Sequence, residues 1–104
     1  MSDGLAAGAP ALGEVLEELY SVLEERGRDL PEGSYTAKLL SGPQDKLLKK
    51  IAEESGEVII AARDHDLAQT RYEIADLFYH LFVVMVREGL TPADLAAELA
   101  SRRR

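Results

Sequence analysis

The 104-residue sequence has no cysteine and no tryptophan, and its aromatic content is four tyrosines and two phenylalanines. Without thiols there are no disulfides, thiolate zinc sites, iron–sulfur clusters or cysteine nucleophiles. No stretch alternates apolar and polar residues as a half-buried strand would, and there is no internal repeat or nucleotide-cradling glycine loop. The longest apolar run, residues 77–86, includes Tyr79 and His80 and is about half the length needed to cross a bilayer. Residues 1–5 lack the basic start and apolar core of a signal peptide. Positive charge is scarce as well: 12 Lys and Arg face 19 Asp and Glu, a net charge of −7 with an isoelectric point near 4.8. Such a balance argues against nucleic-acid or membrane partners, both of which are polyanions. These absences together suit a cytoplasmic protein.

With 46% apolar and 30% charged residues, the composition is that of a folded chain, and its length allows one domain. A Gly/Ala-rich tail is expected over residues 1–11, and the domain over residues 12–104. A lone chain of this size buries only somewhat over 60% of its unfolded surface, so a second subunit is expected to complete the fold.

Leu12, Val15, Leu16, Leu19, Val22 and Leu23 recur at three- and four-residue steps, the period of an amphipathic helix, with Gly27 as its stop. Ser34 is placed to cap a short helix over residues 35–40, which Ser41, Gly42 and Pro43 end. A long third helix follows from Pro43 to Arg63, then a connector over residues 64–66 and a fourth helix over residues 67–87, closed by Gly89. Thr91 and Pro92 open a last helix as cap and first residue. The expected fold class is all-α: an antiparallel bundle of about four to five helices.

Acidic residues are concentrated on the two long helices. At about 100° per residue, Glu54 and Glu57 lie about 60° apart, as do Glu73 and Asp76, and Glu53 lies about 40° from Glu57. The opposite side of the third helix carries Leu47, Leu48, Ile51, Val58, Ile59 and Ala62. On the fourth helix, apolar residues from Ile74 to Val86 cover nearly the whole circumference, as expected of a buried helix. Glu73 and Asp76 would then be buried too, a costly arrangement unless basic partners or a hard cation accompany them. The short connector makes the two helices antiparallel neighbours, so their acids can meet around Mg²⁺ or Mn²⁺. Lys46, Lys49 and Lys50 can pair with these acids or bind phosphate. Gly56, costly inside a helix, suggests close approach of a neighbouring helix or ligand. His65 reads as a surface residue, and His80, four residues after Asp76, as a partner that orients it. The terminal arginines complement the dipole of the last helix. Ser34 has no histidine or acid at a spacing that would make it a nucleophile.

The segments Glu54-x-x-Glu57 and Glu73-x-x-Asp76, separated by 15 residues, resemble the acidic pattern of the all-α, MazG-like nucleotide pyrophosphohydrolases. Their surroundings, with Ser34-Tyr35-Thr36, Lys46 to Glu54 and Asp76-Leu77-Phe78-Tyr79-His80, are similar to the phosphoribosyl-ATP pyrophosphohydrolase family of histidine biosynthesis, from about Leu12 to Arg103. The resemblance implies Mg²⁺-dependent hydrolysis of phosphoribosyl-ATP to phosphoribosyl-AMP and pyrophosphate, with Mn²⁺ as a substitute. It implies Glu54, Glu57, Glu73 and Asp76 as metal ligands and Glu53, Glu54 and Glu57 as catalytic acids. It also implies Ser34, Tyr35, Thr36, Lys46, Lys49, Lys50, Tyr79 and His80 around the substrate. Family members are helical homodimers with sites where subunits meet. Ala52 and Ser55 stand where other small residues are common, and the lack of cysteine leads to the expectation of the form without a cyclohydrolase domain. Two other readings remain open: a house-cleaning pyrophosphohydrolase of ordinary or damaged nucleoside triphosphates, and a helical dimerisation module without catalysis.

Overall fold

A computed structural model describes residues 8–103, which form five helices and no strand. These are α1 (Leu12–Asp29), α2 (Tyr35–Ser41), α3 (Gln44–Arg63), α4 (Leu67–Glu88) and α5 (Pro92–Ser101). The expected tail at residues 1–11 lies largely outside the described residues, as does Arg104.

Local chemistry sets most of the boundaries. The Ser34 side chain accepts a hydrogen bond from the Ala37 amide and starts α2; Asp66 does the same for Gln69 and starts α4. Thr91 and Asp94 form a reciprocal capping box at α5, and Gly89, at φ 78°, ends α4 in the left-handed conformation that costs glycine least. One expected boundary differs. Gly27 does not stop α1, which runs on to Asp29, and Leu30 takes the left-handed position at φ 44°, its amide bonded to the Arg26 carbonyl. Helical hydrogen bonding tolerates a glycine when the turns on either side continue, and here they do.

α3 and α4 form an antiparallel hairpin, and α1 lies across α4 and α2. The core joins Tyr20 and Leu23 of α1, Leu39 of α2, Leu47 of α3 and Phe82, Val83 and Met85 of α4. Tyr20 meets Phe82 edge to face, and its hydroxyl donates to the Leu90 carbonyl at 2.6 Å, which ties α1 to the end of α4. Arg87 fastens α2 to α4: its Nη1 donates to the carbonyls of Leu39 and Gly42, each at 2.8 Å. Gly42 is required there because a Cβ would lie 2.6 Å from the Lys38 carbonyl oxygen.

Two expectations about faces are overturned. Of the apolar set read as lying opposite the acids of α3, only Leu47 is buried, while Leu48 and Ile59 are 45% and 66% exposed. The inward line is instead Leu47, Glu54 and Ala61, spaced at seven residues, so an acid lies on the buried seam. α4 is not enclosed all round either: Ile74, Phe78 and Leu81 are 36–40% exposed. Five helices, one of only seven residues, leave one side of α4 uncovered in a single chain.

Gly56 differs as well. A Cβ there would meet nothing within 4 Å, so no neighbouring helix of this chain needs the space. Gly56→Ala is therefore expected to stabilise the protein by about 0.5–1 kcal/mol through helix propensity, read as a higher midpoint in urea. A fall in the midpoint would mean that something packs on that position.

Candidate functional site

The hairpin brings three acids together. Glu54 of α3 and Glu73 and Asp76 of α4 each offer a carboxylate oxygen, all within 4.8 Å of one another. Glu54 and Glu73 are buried, and the Asp76 side chain is 34% exposed, which opens the cluster on one side. The rise and turn of α4 put Glu73 and Asp76 on one side one turn apart, and the inward seam of α3 carries Glu54 to meet them.

Burial pushes the Asp76 carboxyl above its ordinary range, and sharing a hydrogen bond with Glu54 adds to this. Burial raises Glu73 too; the side-chain amide of Gln69, donating at 2.6 Å, counters it, while Glu54 and Glu57 push the same way as burial. Burial also acts to raise Glu54, but hydrogen bonds from Asp76, Lys50 and Glu73 outweigh it and hold this carboxyl low. The cluster thus favours protons on Asp76 and Glu73 around an ionised Glu54, with the Lys50 Nζ 3.3 Å from Glu54 and 3.5 Å from Glu53. All-oxygen donors from three carboxylates match a hard divalent cation, whose charge would remove the need for those protons.

Two groups with raised folded-state pKa stabilise the metal-free fold when protonated, and that contribution is lost as pH rises through the raised values. Glu54, held low, acts with the opposite sign. Protons therefore compete with a divalent cation above the ordinary carboxylate range of about 4. Thermal melts from pH 5 to 8 are expected to show a Mg²⁺-induced rise that shrinks steadily toward pH 5. A rise independent of pH would contradict this.

The other expected site residues divide into three groups. Glu53 and Glu57 lie on either side of Glu54 along α3 and are exposed; they do not join the three converging oxygens. Lys46, Lys49 and Lys50 line a cleft of about 290 Å³ with Tyr35, Lys38 and Glu53. Ser34 spends its side chain on the α2 cap, Thr36 hydrogen-bonds the Tyr79 hydroxyl, and Tyr35 hydrogen-bonds His80. His80 also contacts the Asp76 turn, so the expected pairing exists, but through the backbone carbonyl at 2.8 Å rather than the carboxylate, which is 3.7 Å away. His65 is exposed in the α3–α4 connector. At the C-terminus, Arg102 pairs with Glu98 at 2.9 Å.

Reasoning from the sequence missed Lys38, Gln69 and Arg87. Lys38 follows Tyr35 by three residues and Gln69 precedes Glu73 by four, so helical spacing alone could have raised both. Arg87 binds carbonyls 45 and 48 residues away, and no local signal marks it.

Comparison with known proteins agrees with this geometry. The phosphoribosyl-ATP pyrophosphohydrolase family model matches residues 16–103, which include all five helices except the start of α1. The chain is 46% identical over 100 residues to the histidine biosynthesis bifunctional protein HisIE of Thermus thermophilus, covering 96% of this chain but 47% of that protein. It is 48% identical over 90 residues to a phosphoribosyl-ATP pyrophosphatase of Pelotomaculum thermopropionicum, covering 86% of this chain and 92% of the relative. A phosphoribosyl-ATP pyrophosphatase of Limosilactobacillus fermentum is 47% identical over 87 residues, 84% of this chain and 82% of that one. The chain thus spans about half the length of the bifunctional relative and most of the shorter ones. With a match over most of its length and the acids of the two central helices converging, this chain belongs to the phosphoribosyl-ATP pyrophosphohydrolase family.

Proposed function

We propose that this chain hydrolyses phosphoribosyl-ATP to phosphoribosyl-AMP and pyrophosphate in histidine biosynthesis, in the cytoplasm, with Mg²⁺ as cofactor and Mn²⁺ as a substitute. The observation that carries the reading is the convergence of Glu54, Glu73 and Asp76 beside a lysine-lined cleft. Glu54, Glu73 and Asp76 hold the metal, and Glu57, expected as a fourth ligand, stays outside their cluster. When bound, the metal supplies charge neutralisation between acidic protein and triphosphate and polarises the anhydride. Lys46, Lys49 and Lys50, with Lys38, bind phosphate oxygens and stabilise the charge that develops on departing pyrophosphate. Glu53, or Glu57 beside it, orients the attacking water and takes its proton. Water adds to the α-phosphorus, the α–β bond breaks, and no covalent intermediate on the protein is needed.

Pyrophosphate release from phosphoribosyl-ATP, set against ATP, dCTP and dUTP with Mg²⁺ and with a chelator, tests the reading. Preference for phosphoribosyl-ATP and loss under chelation are expected. Equal or faster release from the simple triphosphates would favour a house-cleaning enzyme instead.

The exposed apolar side of α4, continuous with Leu12 and Val15 of α1, supports a homodimer. Leu12, Val15, Ile74, Ala75 and Phe78 line an apolar groove there of about 590 Å³. Sedimentation velocity is expected to give twice the 11.4 kDa chain mass.

A further inference from the structure

Arg87, near the end of α4, donates twice from one nitrogen, and its two acceptors stand at the turn that joins α2 to α3. The turn needs such a donor for a reason visible in the chain. In a continuing helix the Leu39 carbonyl would accept from the amide four residues on, but residue 43 is proline and has no N–H. Arg87 Nη1 gives one proton to that carbonyl at 2.8 Å and its other proton to the carbonyl of Gly42, the residue before Pro43, also at 2.8 Å. Gln44, the first residue of α3, donates to Glu88 at 3.3 Å, so consecutive residues of α4 hold both sides of the turn. The opposite end of α2 is tied to α4 through Tyr35 and Thr36.

The lysine-lined cleft lies between the two helices that this turn joins. Lys38 and Leu39 line it from α2, and Lys46, Lys49 and Lys50 line it from α3. Lysines on facing walls repel one another and favour a wider opening, so they cannot themselves set its width. Leu39 connects the two features: it lines the cleft, and its backbone carbonyl is the one that Arg87 holds.

We propose that Arg87 is a positioning residue for the phosphate-binding cleft: by clamping the α2–α3 turn it sets the separation of Lys38 from Lys46, Lys49 and Lys50, and so the span of phosphate oxygens they grip together. Arg87 itself touches no substrate. The inference rests on the phosphate-binding reading of these lysines given above and adds to it what fixes their spacing.

Calorimetric titration of the full chain with pyrophosphate in Mg²⁺ tests it. Arg87→Met is expected to weaken pyrophosphate about tenfold in the folded protein. The deciding measurement is a double-mutant cycle. Lys38→Met is expected to cost about tenfold in the parent but no more than about twofold beside Arg87→Met, because Lys38 is then no longer held opposite the other lysines. Lys49→Met, on the other wall, is expected to cost the same in both backgrounds. Arg87→Lys, whose ammonium can donate to both carbonyls, is expected to restore affinity to within about threefold of the parent. Arg87→Gln, too short to reach both carbonyls, carries the same test if the methionine variant does not fold. A purely structural role would let the Arg87 and Lys38 losses multiply to about a hundredfold, and that result would overturn the proposal. An Arg87→Met affinity equal to the parent's, or an Arg87→Lys no better than Arg87→Met, would overturn it too. If the parent does not bind pyrophosphate, or the lysine variants bind it as the parent does, the phosphate reading of the cleft falls and this proposal with it. Binding that Lys38→Met weakens and Arg87→Met leaves intact overturns the role of Arg87 alone.

Discussion

Asp76→Asn is expected to reduce pyrophosphate release about a thousandfold or more, equivalent to about 4 kcal/mol of lost transition-state stabilisation. The carboxylate sits where the cluster opens outward, 34% exposed, while Glu54 and Glu73 behind it are buried. It is the one of the three that faces both the interior pair and incoming substrate. Asparagine keeps the size and one oxygen but removes the charge, so the helix, the His80 contact to the backbone carbonyl and the core should remain. Stability should move the other way. Burial and Glu54 already hold the Asp76 carboxyl above its ordinary range, so ionising it above neutral pH works against the metal-free fold. The variant without metal is therefore expected to melt at the same temperature as the parent or higher at pH 8, and to lose much of the Mg²⁺-induced rise. Activity lost with stability kept is the signature of a site held at a cost to the fold. An Asp76→Asn variant that still turns over would mean that the cluster is not the site.

Leu47→Ala is expected to cost about 3 kcal/mol of unfolding free energy, and so roughly 12–24 °C in melting temperature for a domain of this size. Leu47 is 1% exposed and meets a core drawn from all of the first four helices. Removing its branched end leaves a cavity that α1, α2 and α4 cannot close without moving against one another. It stands on the same inward seam as Glu54, two turns earlier, and between the cleft residues Lys46 and Lys49 in the chain. The folded fraction of the variant is nonetheless expected to keep its Mg²⁺ response, because an alkyl side chain supplies no ligand and no hydrogen bond to the three carboxylates. Denaturant unfolding with a single cooperative transition checks the magnitude. A cost below about 1 kcal/mol would show that the core is looser than its burial implies.

Much of the fold was legible because it is built from local signals. Ser34, Asp66, Thr91 and Gly89 act within three or four residues of themselves, and each ends or begins a helix where its chemistry says it should. The paired acids were legible for the same reason, since one-turn spacing is a property of the helix and needs no tertiary information. Less legible was which way α3 faces. Spacing set its apolar residues opposite its acids, but the hairpin turned the line of Leu47, Glu54 and Ala61 inward, an acid between two apolar residues. Gly27 misled in a similar way, because a glycine ends a helix only when the next turn has a better alternative, and here Leu30 supplied the left-handed residue. Arg87 had no local mark at all.

Backbone periodicity and end-capping, which act over a few residues, were enough to specify an all-helical chain, the order of its helices, and two acidic pairs each gathered on one side of its own helix. Packing alone settled that Glu54 joins Glu73 and Asp76 while Glu53 and Glu57 stay outside, that the Tyr35 hydroxyl meets His80, and that one side of α4 is left bare. Rotation of one helix against another is set by the sum of many weak contacts between distant residues, and no short stretch of chain carries that sum.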